Sequence, residues 1–331
     1  MKKPVYGLFL AVSLLTINGC ADGGQDLDGS SEEDNAPETE TENHTAETSG
    51  FPVEMTDAAG ETLTIEEKPE RIVSIIPSNT EIAFALGLEE EIVGVSDHAN
   101  YPEEAMDKER VGGMDFNVEK IISLEPDLLL AHASALQQAE EGIEQIEEAG
   151  VHVLVVNEAA SFEGAYESIE MIGKAAGAEE EASDMVTEMK KQVQDLEEQA
   201  AEINEEERKT VWMEIQPPPE IFTTGQGTFQ HEMLEIINAD NAAGDEEGWL
   251  PYSAEEAVSL NPDVIITTYG SYAEGDPEEE IKSRSGWSNI PAVESGEIYD
   301  VNSDLVSRPG PRLTEGADEL AELVYPDVFA E

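Results

Sequence analysis

The sequence has few of the residues that many functions require. Among its 331 residues there is a single cysteine, Cys20, so an internal disulfide cannot form. Only 16 residues are lysine or arginine, against 76 aspartates and glutamates, which gives a formal net charge of -60 at pH 7. Nucleic acid is therefore not an expected partner, because binding to its phosphates needs clustered basic side chains.

This charge imbalance also bears on the habitat of the protein. A strongly acidic surface keeps a protein soluble, but self-repulsion disfavours its compact state. Dissolved salt relieves that repulsion, because it screens the charges from one another. The composition therefore favours an acidic, halophilic protein over an ordinary acidic secreted protein.

The N-terminal apolar run, Tyr6–Ile17, is too short to span a bilayer comfortably. A pair of lysines precedes it, which predicts a signal peptide over residues 1–19. The next residues, Ile17–Cys20, resemble a bacterial lipobox, which implies cleavage before Cys20 and a diacylglycerol on its sulfur. Two acyl chains are enough for stable anchoring, so we predict a lipoprotein rather than a plain signal peptide followed by a chance cysteine.

Residues 20–50 contain few hydrophobic side chains and many acidic ones, a composition that predicts a disordered tether. We expect this tether to hold a folded, monomeric body at the extracellular face of the cell membrane.

From Phe51 onwards the pattern is α/β. Short apolar runs alternate with helical stretches, which predicts mainly parallel sheets covered on both faces. The predicted strands are 72–76, 91–96, 127–130 and 151–156 in a first part, and 211–215, 264–268 and 297–301 in a second. After the first strand, Asn79 is predicted to cap a helix that runs to Leu86.

Between these parts, the stretch from Gly164 to Arg208 contains no proline, and its apolar residues recur near helical spacing. It predicts one long helix, or two abutting ones with a break near Gly173 and Gly177. The expected organisation is an N-terminal lobe at 51–160, a rigid linking helix at 161–209, and a similar lobe at 210–331, with a ligand cleft between the lobes.

An internal repeat relates the two lobes. The segments VEKIISLEPD at 118–127 and AEEAVSLNPD at 254–263 share the frame Ser-Leu-x-Pro-Asp. Each predicts a short helix followed by an aliphatic strand. Glu119 and Glu255 occupy the same place in the two copies, close to the helix start.

These features together resemble the class III periplasmic binding proteins, whose two lobes are joined by one rigid helix. The likeness runs from Arg71 to about Val328 and rests on SNTEIAFALG at 78–87, on the repeat, and on the segment around Arg308 and Arg312. It implies binding of cobalamin or a related corrinoid for an ABC permease and its ATPase. It implies no enzymatic activity and no cofactor, and the sequence contains no nucleophile elbow or phosphate-binding loop.

The resemblance also implies roles for single residues. Glu119 and Glu255 would dock on arginines of the permease; the alternative is that they are solvated charges at helix starts. A flat macrocycle suits aromatic walls, and Trp249 lies in a polar segment that favours exposure. The cleft residues that the resemblance implies are Trp249, Phe222, Asp304, Arg308, His98, Met114, Phe116 and Pro77.

The match in the first lobe is imperfect, because His98 stands where the cobalamin binders have a tyrosine, and Met114 or Phe116 where they have a tryptophan. Two other cargoes therefore stay open. An iron-siderophore or haem could meet Arg308 and Arg312, although so few basic residues favour an uncharged ligand. A zinc or manganese ion could be held by His98, His132 and Asp304, each of which follows a predicted strand.

Overall fold

The computed structural model describes residues 50–113 and 115–329. Cys20, the predicted signal peptide, nearly all of the predicted tether and Met114 lie outside these residues. Within the two described ranges, none of the helices has both the length and the apolar composition that crossing a bilayer requires.

The N-terminal lobe is built on a five-stranded parallel sheet, with a separate antiparallel hairpin at its start. Its strands are β1 (Val53–Thr56), β2 (Thr62–Ile65), β3 (Ile72–Ser74), β4 (Ile92–Val95), β5 (Glu109–Arg110), β6 (Leu128–His132) and β7 (His152–Val156). Its helices are α1 (Pro77–Ala85), α2 (Val118–Ser123) and α3 (Ala133–Glu148), and a 3₁₀ turn covers Glu103–Asp107. The strand order in the main sheet is β5-β4-β3-β6-β7.

The segment between the lobes contains two helices, α4 (Phe162–Ala176) and α5 (Glu179–Ala200), which is the second of the arrangements that the sequence left open. Gly177 ends α4 in a left-handed conformation, with φ of 69°. The two helices pack tightly, because a Cβ on Gly173 would lie 2.4 Å from the Cβ of Ala182. The 22 residues of α5 give a rod about 33 Å long at ~1.5 Å per residue.

The C-terminal lobe is built on a four-stranded parallel sheet and an antiparallel pair. Its strands are β8 (Thr210–Glu214), β9 (Ile221–Thr224), β10 (Asp240–Asn241), β11 (Trp249–Tyr252), β12 (Val264–Thr267) and β13 (Ile298–Asp300). Its helices are α6 (Phe229–Ile236), α7 (Ala254–Leu260), α8 (Pro277–Ser283), α9 (Pro291–Ser295), α10 (Ser303–Ser307), α11 (Leu313–Val324) and α12 (Pro326–Phe329), and a 3₁₀ turn at Glu205–Glu207 precedes them. The main sheet has the order β10-β8-β12-β13, and β9 pairs with β11.

The internal repeat is confirmed in three dimensions. The order β4-β3-β6-β7 in one lobe corresponds to β10-β8-β12-β13 in the other, and α2 and α7 precede the equivalent strands β6 and β12. Asp127 accepts a hydrogen bond from the backbone N of Arg71 at 2.9 Å, and Asp263 accepts one from the backbone N of Thr210 at 2.9 Å. The repeated aspartate therefore fixes the start of the central strand in each lobe.

One apolar core runs through both lobes. Because side chains alternate across a strand, Ile72 and Val211 face this shared core. Their neighbours Val73 and Trp212 face a second core that lies within one lobe only, here called the private core of that lobe. Helices α4, α5, α6 and α11 contribute to the shared core from the other side. The lobes are therefore joined by packed hydrophobic surface as well as by the chain.

The predicted helix cap at Asn79 is wrong. Helix α1 begins at Pro77, which is well suited to a first helical position because its φ is preset and it lacks an N–H. The buried Asn79 side chain instead donates a hydrogen bond to the carbonyl oxygen of Ala131 at 2.9 Å. It therefore ties α1 to β6.

Candidate functional site

The loops that follow the parallel strands carry most of the predicted cleft residues. In open parallel sheets, ligands bind beyond the carboxyl ends of the strands. Pro77 lies beyond β3, His98 follows β4, and Asp304 follows β13. The structure therefore places these three predicted residues at the strand ends where a ligand is expected.

His98 is exposed in the turn after β4, and its backbone N donates to the Ser96 hydroxyl at 3.1 Å. Its ring lies close to the turn after β5, because a Cβ on Gly113 would lie 2.9 Å from His98 Nε2. A side chain at residue 113 would therefore require the His98 ring to move. His98 is thus positioned by packing against a neighbouring backbone.

Phe116 is half-buried, and its ring packs against the private core of the N-terminal lobe. A Cβ on Gly142 of α3 would lie 3.3 Å from the Phe116 ring. Much of this ring is therefore engaged within the lobe. Met114, the other residue predicted for this wall, lies outside the described residues.

The aromatic pair predicted in the C-terminal lobe lies on the antiparallel strand pair β9–β11. Trp249 is opposite Thr224, and Pro251 is opposite Phe222, so the register puts all four side chains on one face. Trp249 and Phe222 are diagonal neighbours on that face, a relation that separates Cα atoms by about 7–8 Å. Trp249 is 52% exposed and Phe222 is half-buried. This strand pair thus presents an aromatic surface, and the polar segment that contains Trp249 includes the start of strand β11.

Two exposed tyrosines were missed by sequence reasoning. Tyr101 follows β4 and Tyr272 follows β12, so both lie near strand ends. The Tyr272 hydroxyl donates to the carbonyl oxygen of Ile215, which follows β8, at 3.0 Å. Their position after predicted strands is the signal that could have identified them.

A polar cluster bridges the lobes at these strand ends. Glu81, in α1 of the N-terminal lobe, is only 2% exposed. Arg312 binds it in bidentate fashion, with Nε 2.8 Å from Oε2 and Nη2 2.8 Å from Oε1. Arg308 Nη1 lies 2.7 Å from Glu81 Oε1. One carboxylate of the first lobe therefore binds two guanidinium groups of the second.

The cluster extends through Asp304 and Asn100. Arg308 Nη2 lies 2.9 Å from Asp304 Oδ1, and Arg308 Nη1 donates to the amide oxygen of Asn100 at 2.7 Å. Asn100 in turn donates from its amide nitrogen to Asp304 Oδ2 at 2.9 Å. Asp304 and Arg308 are therefore brought together as predicted, but each is already bound to the N-terminal lobe.

The guanidinium of Arg312 also covers an aromatic ring, with its Cζ 3.8 Å from the centroid of Tyr101. Burial lowers the pKa of Arg312, but the hydrogen bonds and charge of Glu81 outweigh it, so the pKa is raised overall. Arg312 is thus held charged, in contact with both Glu81 and Tyr101.

Another polar contact joins the C-terminal lobe to the start of α4. Glu232, in α6, accepts a hydrogen bond from the backbone N of Phe162 at 2.8 Å. This N–H belongs to the first turn of α4, where donors have no partner inside the helix. Burial is the main reason that the pKa of Glu232 is raised.

The residues of the zinc or manganese alternative do not form a metal site. In the part of the chain that the structure describes, no three histidine, cysteine or acidic side chains are grouped so that they could hold a metal ion. Burial lowers the pKa of His132, but its Nδ1 accepts from the backbone N of Ser134 at 3.3 Å and caps α3. Asp304 is bound to Arg308.

Glu119 and Glu255 occupy equivalent, exposed positions. Each is the second residue of its helix, α2 or α7. The caps correspond too, because the side chain of Asn117 accepts from Lys120 N and that of Ser253 accepts from Glu256 N. The two carboxylates are therefore presented in the same way by the two lobes.

Two α/β lobes with parallel sheets, joined through a long helix and meeting near their strand ends, define a two-lobed solute-binding protein rather than an enzyme. The chain belongs to the family of periplasmic binding proteins, whose model matches residues 72–305. It is a substrate-binding component of an ABC transporter.

Individual relatives support this assignment. The chain is 49% identical over 281 residues to an uncharacterised ABC transporter substrate-binding lipoprotein of Bacillus subtilis, YvrC, covering 85% of this chain and 88% of the relative. It is 28% identical over 255 residues to a vitamin B12-binding protein of Vibrio cholerae, covering 76% and 87%. The solved structure of a possible iron-binding protein of Staphylococcus epidermidis matches with a TM-score of 0.70 and 37% identity, covering 78% of this chain and all of that one.

Proposed function

We propose that this protein captures cobalamin or a related corrinoid and delivers it to an ABC permease. The observation that carries the proposal is the aromatic face of the strand pair β9–β11, where Trp249 and Phe222 are diagonal neighbours and Trp249 is exposed. A corrin ring has broad apolar faces, which favour contact with such a surface. The vitamin B12-binding relative adds independent support.

The alternative cargo is an iron chelate, either a ferric siderophore or haem, carried by the same fold. It is supported by the possible iron-binding protein of Staphylococcus epidermidis. The polar cluster argues against an anionic chelate, because Arg308 and Arg312 already bind carboxylates.

Calorimetric titration of the purified protein with cyanocobalamin tests the cargo. We expect saturable one-to-one binding, and a loss of about 30-fold in affinity for Trp249→Ala, since a central aromatic contact contributes about 2 kcal/mol. The matched control is Met106→Ala, because Met106 is similarly exposed, at 50%, but precedes β5 and so lies away from the strand ends. No binding, or equal loss in both variants, would refute the corrinoid site.

We also propose that Glu119 and Glu255 dock on basic residues of the permease, one per lobe. Equivalent carboxylates on two related lobes suit a partner with two-fold symmetry. Glu119→Arg combined with Glu255→Arg is expected to abolish uptake and leave cargo affinity unchanged. The control, Glu147→Arg with Glu322→Arg, reverses two other exposed charges, one per lobe. Uptake that survives the first pair, or fails equally in the second, would exclude docking through these glutamates.

We propose further that Cys20 carries the lipid that anchors the protein at the extracellular face of the membrane. Cys20→Ser is expected to move the protein from the membrane fraction to the medium. Retention in the membrane fraction would contradict the anchor.

The acidic composition supports the proposal of a salty habitat, because salt screens self-repulsion. The melting temperature is then expected to rise with added salt. A melting temperature that stays constant or falls would contradict it.

A further inference from the structure

The charges beside the predicted cleft compensate one another. The cluster contains two guanidinium groups, Arg308 and Arg312, and two carboxylates, Glu81 and Asp304, joined by hydrogen bonds of 2.7–2.9 Å. The remaining polar member, Asn100, is neutral. The cluster therefore carries no formal net charge.

Glu81 is the residue that produces this balance. It contacts both arginines, whereas Asp304 contacts only Arg308. Its side chain is 1% exposed, while those of Arg308 and Arg312 are 17% and 10% exposed. The carboxylate is thus inaccessible, and the arginines lie between it and solvent.

Of the five N–H donors on each guanidinium, Arg312 uses two on Glu81, and Arg308 makes three contacts, with Glu81, Asn100 and Asp304. An anionic ligand that approached Arg308 or Arg312 would have to compete with a fixed carboxylate at hydrogen-bond distance. An uncharged ligand with amide groups meets no such competition, since it can use the exposed edge of the cluster through Asn100 and Arg308.

We propose that Glu81 determines the charge class of the cargo, by neutralising Arg308 and Arg312 so that the cleft accepts an uncharged ligand and rejects an anionic chelate. This inference rests on the proposed function only in that the cargo binds between the lobes. Glu81 acts through the two arginines and is a positioning residue.

The test compares the purified full chain with Glu81→Gln, using ferric citrate as an anionic probe and cyanocobalamin as an uncharged one. Glutamine keeps the shape of the side chain but removes the charge, which leaves an uncompensated guanidinium. We expect Glu81→Gln to bind ferric citrate at least about tenfold more tightly than the parent protein, the size of one charge-assisted hydrogen bond. Work in about 1 M NaCl shortens the screening length to about 3 Å, so that direct contacts dominate.

The matched control is Glu232→Gln. It removes the same single charge from the contact between α6 and the start of α4, where the partner is the backbone N of Phe162 and no arginine is released. It is expected to bind ferric citrate no better than the parent protein. A gain in both variants would show a non-specific effect of net charge and would overturn the proposal.

A second variant covers the case in which Glu81→Gln does not fold. Asp304→Asn removes a less buried carboxylate that touches Arg308 alone, and it is expected to give a smaller gain for ferric citrate. If Glu81→Gln folds, adding Arg312→Gln is expected to cancel most of the gain, because Arg308 keeps Asp304 as its carboxylate partner.

The outcomes separate this inference from the proposed function. Tight binding of ferric citrate by the parent protein, or no gain in Glu81→Gln or in Asp304→Asn, would overturn the role of Glu81. Failure of the parent protein to bind cyanocobalamin, together with a gain for ferric citrate in Glu81→Gln, would refute the corrinoid assignment. It would leave intact the proposed role of Glu81 in excluding anionic ligands.

Discussion

Each lobe buries a glutamate near the carboxyl end of its sheet, but the two carboxylates are neutralised in different ways. Glu214, the last residue of β8, is fully buried and binds partners within its own lobe. Arg284 Nη1 donates to its Oε2 at 2.8 Å, the Tyr269 hydroxyl to its Oε1 at 2.7 Å, and Trp212 Nε1 to its Oε2 at 3.2 Å. Glu81 of the N-terminal lobe instead binds arginines of the other lobe.

The difference separates two uses of a buried charge. A carboxylate removed from water has to be paired, or the protein is strongly destabilised. In the C-terminal lobe this pairing is part of the lobe's own fold. In the N-terminal lobe it is completed only where the lobes meet, so Glu81 links the stability of the first lobe to contact with the second.

The largest expected effect comes from breaking the pair inside one lobe. Glu214→Ala leaves Arg284 buried with Glu280 as its remaining partner, and we expect a loss of about 3–5 kcal/mol in the free energy of unfolding. Urea denaturation measures it. A loss below 1 kcal/mol, on the order of a surface ion pair, would show that Glu214 is not a structural charge.

Glu81→Ala is expected to destabilise less, by about 1–3 kcal/mol, because both arginines keep other contacts. Arg308 retains Asp304 and Asn100, and Arg312 retains the Tyr101 ring. The same urea experiment checks it. An effect as large as that of Glu214→Ala would remove the distinction between the two carboxylates.

The next largest expected loss of stability comes from removing the N-terminal caps of α2 and α7, the helices of the two repeat copies. Ser253 forms a reciprocal capping box with Glu256, whereas Asn117 caps α2 through its side chain alone. We expect about 1 kcal/mol of destabilisation from Asn117→Ala and somewhat more from Ser253→Ala, since the second also disrupts the box. Thermal unfolding of both variants tests this order, and the reverse order would contradict it.

The two copies of the internal repeat differ in the residue before the shared proline, which is Glu125 in one and Asn261 in the other. This difference predicts a stabilising substitution. Glu125 and Asn261 both have a left-handed backbone, with φ of 48° and 52°. Asparagine tolerates this conformation better than glutamate does. Glu125→Asn is expected to stabilise by about 0.5 kcal/mol, and Asn261→Glu to destabilise by a similar amount. Two changes of the same sign would show that φ is not the cause.

The smallest effect concerns the pH dependence of stability at the contact between Glu232 and the start of α4. Burial raises the pKa of Glu232 above its ordinary value near 4.5. Between that value and the raised pKa, the folded state binds more protons than the unfolded state, so this group's contribution to stability falls as pH rises. Glu232→Gln should therefore gain stability relative to the parent protein as the pH rises above the ordinary glutamate pKa near 4.5. A difference that is independent of pH would contradict the assignment.

The strand pattern could be predicted because buried parallel strands are short apolar runs. The predicted segment 264–268 is observed as Val264–Thr267, and 151–156 as His152–Val156. The strand pair β9–β11 was not predicted, because Trp249–Tyr252 is half-exposed and includes a proline. Its pairing depends on a partner strand about 25 residues away, which no local pattern reveals.

By itself, the sequence determined the α/β architecture, the two-fold repeat and the equivalence of Glu119 with Glu255, because each depends on local periodicity or on a visible motif. The resemblance to periplasmic binding proteins also identified Asp304 and Arg308 as candidate ligand-binding residues. Only the tertiary structure decided what those residues touch. Glu81 meets Arg308 and Arg312 across 227 and 231 residues of chain, a contact that depends on how the lobes pack. The charge that a ligand would meet in the cleft is therefore a property of the folded molecule.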